Sequence, residues 1–319
     1  MTTASNTKNQ NPIVRFLNIN TSGEVGGRNL PLWRQILLQL ITVFITATVL
    51  FPIMYIVTLS FSSKTSRPSA LELIPREFSL IAYQQVLDRP TANPVTFTQL
   101  LTNSFLLSFG VGLVALLVAV SAAYAFSRFK FKLRQVLMVM VFIPLLMPTV
   151  GLSTPLYLLM NQFRLFSNGQ LVFNLRDSLL GVGIAMVAGA LPFAVWNLKG
   201  YLDTIPLDLE EAASIDGADA NQIFFQIVLP LAVPQLAVTF FLGFIGHWQE
   251  FVISWLFLTK PESYTLAMTL YNMTGQYANA IPWNRFAAMA IIVALPVAVT
   301  YIALQRYITS GLTSGAVKG

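Results

Sequence analysis

The residues able to do chemistry in this chain are few, and their spacing limits what that chemistry can be. His247 is the sole histidine and there are no cysteines, so disulfides, thiolate metal sites and histidine-rich metal sites are excluded. A phosphate-cradling loop needs the run G-x-x-x-x-G-K-[ST]. Lys199-Gly200 and Lys318-Gly319 carry the two residue types in reversed order, so no nucleotide-hydrolysing motif is present. The serines lack a plausible His–acid partner for a nucleophilic triad.

Two acidic features stand out. Glu250 is the only acid well inside a long apolar run, with His247, Trp248 and Gln249 beside it. A lone charge in lipid is expensive, so such residues face the interior of a bundle or a water-filled path. Two roles fit it: lining a translocation path near a break in its helix, or fixing a helix bend by hydrogen bonding. The second feature is residues 199–220, where Lys199 stands against Asp203, Asp208, Glu210, Glu211, Asp216 and Asp219, six of the thirteen acids in the chain.

The elements that position these groups are membrane helices. The chain has 319 residues, 55% hydrophobic and 10% charged, with a mean hydropathy of +0.66. Soluble domains carry roughly 25% charged residues. Long charge-free gaps separate the charge clusters, for instance Arg34 to Lys64, Arg134 to Arg164 and Asp219 to Glu250. About 20 apolar residues cross a bilayer core. The gaps place spans near 33–60, 103–126, 135–160, 178–198, 231–258 and 286–306. The expected class is an all-α integral membrane protein with about six transmembrane helices. Several prolines lie inside these spans, and Gly181 and Gly183 are small enough for close helix approach.

Lysines and arginines favour the cytoplasmic side. Arg128, Lys130, Lys132 and Arg134 follow the second span, and Lys8, Arg15, Arg28 and Arg34 precede the first. Both termini are therefore expected in the cytoplasm, with loops 61–102, 161–177 and 259–285 outside. Residues 1–32 read as a disordered tail, 33–309 as the transmembrane domain and 310–319 as a short C-terminal tail. The net charge of +6 follows this membrane pattern and does not call for nucleic acid.

The acidic loop has a local design. Pro206 suits a first helical turn, and Asp208, Glu210 and Glu211 complement the dipole there. Gly217 can adopt the left-handed conformation that ends a helix. Asp219 or Asn221 then starts a second helix, closed by Pro230. The expectation is a helix–turn–helix outside the bilayer over 199–230, acidic on its exposed side. It reads as either a docking element or an interfacial hairpin with no partner.

These residues carry a resemblance. Glu210-Glu211-Ala212-Ala213-Ser214-Ile215-Asp216-Gly217-Ala218, followed by Leu229-Pro230-Leu231 and Pro234, resembles the EAA loop of ABC importer permeases. Tyr124-Ala125-Phe126-Ser127-Arg128 and Leu191-Pro192-Phe193 resemble the second and fourth spans of that family, and the ending Gly315-Ala316-Val317-Lys318-Gly319 resembles that of maltose-type permeases of the carbohydrate-uptake subfamily. The fifth span departs from the family pattern, with Gln249 where an asparagine is usual. The resemblance implies a type I importer permease fold whose hairpin is a cytoplasmic coupling helix. Glu210, Glu211, Ala212, Ala213, Asp216, Gly217 and Ala218 would then meet a separate ATPase, and a bulky residue at Ala213 would clash with it. It also implies a homologous second permease, two ATP-binding subunits and an extracytoplasmic sugar-binding protein. ATP and magnesium would sit on the partner, and this chain would bind no cofactor. An ion-coupled secondary transporter is the alternative, but that class predicts paired intramembrane charges and internal repeats.

Overall fold

The computed structural model describes residues 24–25, 28–29, 31–66, 73–75, 77–168, 170–274 and 281–316. The tail expected over 1–32 lies mostly outside them; Glu24–Val25 (β1) pairs antiparallel with Arg28–Asn29 (β2). The first long helix, α1, spans Leu32–Ser60. It leads through a short α2 (Ile81–Asp88) to α3 (Phe97–Arg128), whose Thr96 side chain caps the first turn.

The third span is not one straight helix. α4 (Arg134–Phe142) passes into a 3-10 turn at Ile143–Leu146, and α5 (Thr149–Met160) then departs at 105°. The cause is Pro148, which disfavours helical backbone at the residue before it; Met147 accordingly lies extended at φ −91°, ψ 137°. A hairpin of β3 (Arg164–Ser167) and β4 (Gln170–Asn174) follows. Next comes α6 (Leu179–Leu202), and Gly181 in its first turn has a specific reason. A Cβ there would stand 1.9 Å from the Leu175 carbonyl oxygen, so the close approach is to the preceding turn and not to another helix.

A short α7 (Asp208–Ile215) precedes α8, which runs unbroken over Ala220–Trp248. The fifth span therefore starts earlier and stops earlier than the expected 231–258. Pro230 does not close a separate helix: Ile223–Val228 form a π-helical stretch just before it. The widened turn gives the proline ring room and reduces the loss from its missing N–H. After the break come α9 (Val252–Phe257), α10 (Leu266–Asn272) and α11 (Trp283–Ala316). The last helix continues past residue 309, so the expected tail is helical to Ala316. Among the described residues five helices are long and apolar enough to cross a membrane, and the bent α4–α5 pair makes a sixth if counted as one span.

α3, α6 and α8 pack against one another as the centre of the bundle. α11 lies against α8, and α1 meets the bundle chiefly through α11. Most of α1 is exposed and apolar, Phe44 and Val43 among the most open, as a helix with lipid for solvent requires. At one end of the bundle Ala119, Ala123, Leu198, Leu202, Ile205, Ile223 and Val228 form a buried cluster. At the other, Leu100, Phe244, Trp248, Leu266 and Met289 form a second.

Candidate functional site

The acidic hairpin sits at the end of the bundle where α3 and α6 finish. Its turn closes by two backbone bonds, Gly217 N–H to the Ser214 carbonyl (3.1 Å) and Ala218 N–H to the Ala213 carbonyl (2.9 Å). This is the paired pattern that ends a helix through a left-handed residue, and Gly217 is that residue, at φ +90°. Asp219 then starts α8 with a reciprocal cap: its carboxylate accepts from Gln222 N–H (2.8 Å), and its own N–H donates to the Gln222 side chain (2.8 Å). Gly217 and Asp219 thus do what their types suggest, whereas Pro206 lies just ahead of the Leu207 cap instead of in the first turn of α7.

The acids of the hairpin are not equivalent. Glu211 and Asp216 are exposed beside Ala212 and Ile215, the latter 86% exposed. Glu210 turns inward. Its carboxylate accepts from Arg128 Nε at 2.6 Å and from the Tyr124 hydroxyl at 3.2 Å. The two charged side chains are only 7% and 12% exposed. Arg128 also donates to the Ile205 carbonyl (3.2 Å) and to the Ser127 hydroxyl (3.0 Å). Ser127 donates in turn to Asp203 (2.6 Å), which Lys199 pairs from the other side at 2.5 Å. Burial alone would raise the Asp203 carboxyl, but the bonds from Lys199 and Ser127 outweigh it and hold it below the ordinary carboxylate range.

Ala213 and Ala218 also face inward, packed on the cluster around Leu198 and Ile223. A bulky residue at Ala213 would therefore disturb the chain's own core, which corrects the expectation of a clash confined to a partner. The outward face is built from Leu207, Glu211, Ala212, Ile215 and Asp216, with Phe225 (61% exposed) beside it. Sequence reading missed Arg128 as a member of this site, placing it among the basic residues that set orientation and at the end of the second-span resemblance. Its position at the last turn of α3, facing six acids in the next such loop, was the available signal.

The second feature lies at the break between α8 and α9. Both oxygens of Glu250 cap α9, accepting from Ile253 N–H (2.5 Å), Ser254 N–H (3.1 Å) and the Ser254 hydroxyl (2.8 Å). Glu250 and His247 also line a cavity of about 350 Å³ between α3, α6 and α8. Its other walls are mostly small or apolar, including Gly112, Gly189 and Gly243, with Thr239 accepting from Asn197 at 3.1 Å. Glu250 thus both caps α9 and lines this cavity. Trp248 points elsewhere: it is buried against α11 and donates to the Val293 carbonyl (3.0 Å). Gln249 shares with Trp248 a hollow beside Tyr271, away from the cavity. The four neighbours thus split between two surroundings, His247 and Glu250 at the cavity and Trp248 and Gln249 on the side of Tyr271 and Val293.

Comparison with known proteins decides the family. Residues 113–314 match the model described as "Binding-protein-dependent transport system inner membrane component". The chain belongs to this family. It is 33% identical over 286 residues to the galactooligosaccharides transport system permease protein GanQ of Bacillus subtilis, covering 90% of this chain and 96% of that one. It is 32% identical over 298 residues to the maltose/maltodextrin transport system permease protein MalG of Escherichia coli, again over 90% and 96%. In fold it is similar to a chain of a bacterial ABC transporter involved in import of the polysaccharide alginate, with a TM-score of 0.69 and 22% identity over 95% of this chain and all of that one. The MetNI methionine ABC transporter gives a TM-score of 0.52 over 72% and 97%, at 20% identity. The chain is thus a multi-pass inner-membrane component with an importer-permease fold, and the ion-coupled alternative finds no support.

Proposed function

We propose that this chain is one permease of an ATP-driven sugar importer and that its hairpin seats an ATP-binding subunit. The observation that carries the reading is the outward face of α7. Exposed Ile215 and Leu207 beside Glu211 and Asp216 make a compact surface, held rigidly by the Gly217 turn and the Asp219 cap. The named relatives, permeases for galactooligosaccharides and for maltose or maltodextrin, support a sugar as cargo.

In this reading the hairpin end faces the cytoplasm and the loops around β3, β4 and α10 face outward. A homologous permease completes the path, and two ATP-binding subunits hold ATP and magnesium. An extracytoplasmic binding protein delivers the sugar. Closure of the ATPases moves α7, and the helices behind it rock between inward-open and outward-open states. The cavity bearing His247 and Glu250 is this chain's candidate stretch of the path. Uptake of labelled mono- and oligosaccharides should be lost for one sugar class on deleting the gene and return on complementation. Uptake of every sugar at the parental rate would contradict the proposal.

A further inference from the structure

The inward half of the hairpin has a task that docking alone does not require. α7 has eight residues and is joined to α8 through four, Asp216 to Asp219, while α3 has no covalent route to it except through α4, α5 and α6. A push on α7 passes directly along the backbone into α8. It reaches α3 through side chains, and the polar ones converge on Arg128. Its guanidinium holds Glu210 of α7 at 2.6 Å, the Ile205 carbonyl at the hairpin entry at 3.2 Å, and Ser127 at 3.0 Å. Tyr124, one turn earlier on α3, reaches Glu210 with its hydroxyl and packs its ring, tilted, at 4.8 Å from that of Phe224 in the π-helical stretch of α8.

We infer that Arg128 is a positioning residue that ties the docking hairpin to α3, so that motion of the hairpin drives α3 and α8 together. The pair is almost fully shielded, and a shielded charge left without its partner is strongly unfavourable. The hairpin is therefore held against α3 throughout a cycle instead of swinging on its loops. An interfacial hairpin, or one serving only as an ATPase seat, has no need of a buried tether on the face turned away from the partner. The inference rests on the reading of the hairpin as the ATPase seat.

The test uses the assembled transporter in proteoliposomes, scoring ATPase retention, ATP hydrolysis and sugar uptake per ATP. Arg128→Gln should retain the ATP-binding subunit while uptake per ATP falls by at least about threefold, the scale of coupling changes along such networks. Arg128→Lys, which keeps the charge but not the fork, should lie between it and the parent. Arg128→Glu combined with Glu210→Arg should exceed Arg128→Glu alone, a rescue that a general loss of stability would not give. Parental uptake per ATP in Arg128→Gln overturns the inference and leaves the ATPase seat standing. Loss of the ATP-binding subunit from that variant also overturns it, by making the pair part of the seat. Where Arg128→Gln fails to reach the membrane, Arg128→Lys decides alone, and parental coupling there counts against the tether. A parent complex without any ATP-binding subunit overturns both readings.

Discussion

Glu210 and Glu250 are both shielded carboxylates at the start of short helices, yet they are used differently. Glu250 places both oxygens on its own α9 and closes a break within a single span. Glu210 gives both oxygens to α3, a helix more than eighty residues earlier in the chain. The first makes a local joint rigid, whereas the second binds separate elements into one moving unit. The adjacent Glu211 does neither and stays in solvent. Carboxylates that look alike in the sequence therefore divide into joint, tether and outward contact.

The largest effect expected from this contrast is at Glu250. Glu250→Ala strands the Ile253 and Ser254 N–H groups, at a cost of about 1–3 kcal/mol for each donor left buried without a partner. Thermal unfolding of the purified permease should move down by several degrees, while Glu211→Ala leaves it unchanged. Equal shifts in the two variants would erase the distinction. Next in size is the inward alanine: Ala213→Trp overpacks the cluster at Leu198 and Ile223 and should cost about 1–3 kcal/mol, whereas Ala212→Trp lies outside the core and should leave stability alone. Smaller again is Gly217→Val. A Cβ there meets nothing within 4 Å, so its penalty is the left-handed backbone, about 1–2 kcal/mol. It should weaken ATPase retention with insertion of the spans intact, measured as permease recovered from membranes.

Much of this was legible before any coordinates. Charge-free gaps located six apolar segments because lipid tolerates little else. Gly217 and Asp219 marked the hairpin because each satisfies or strains the backbone in its own way, independent of distant residues. What escaped depended on tertiary contacts. Glu210 and Glu211 are adjacent and chemically alike, and only the place where α3 ends decides which one turns inward. Pro230 read as a stop because an α-helix would break there, and nothing local announces the π-helical turn that carries it. Pro148 stands inside the third span in the sequence, but nothing local gives the 105° angle of the bend it makes. The split of His247 and Glu250 from Trp248 and Gln249 depends on where the break after Trp248 turns the chain, which hydropathy cannot show.

The most direct test of the central claim is copurification of the ATP-binding subunit with the permease pair, with sugar uptake scored in the same membranes. Ile215→Asp and Ala212→Trp change only the outward face of α7. The account predicts that both variants insert and pair normally, lose the ATP-binding subunit or leave it hydrolysing ATP without transport, and show parental thermal stability. Full retention of a coupled ATPase in both would contradict it, because the exposed face of the hairpin would then not be the docking surface.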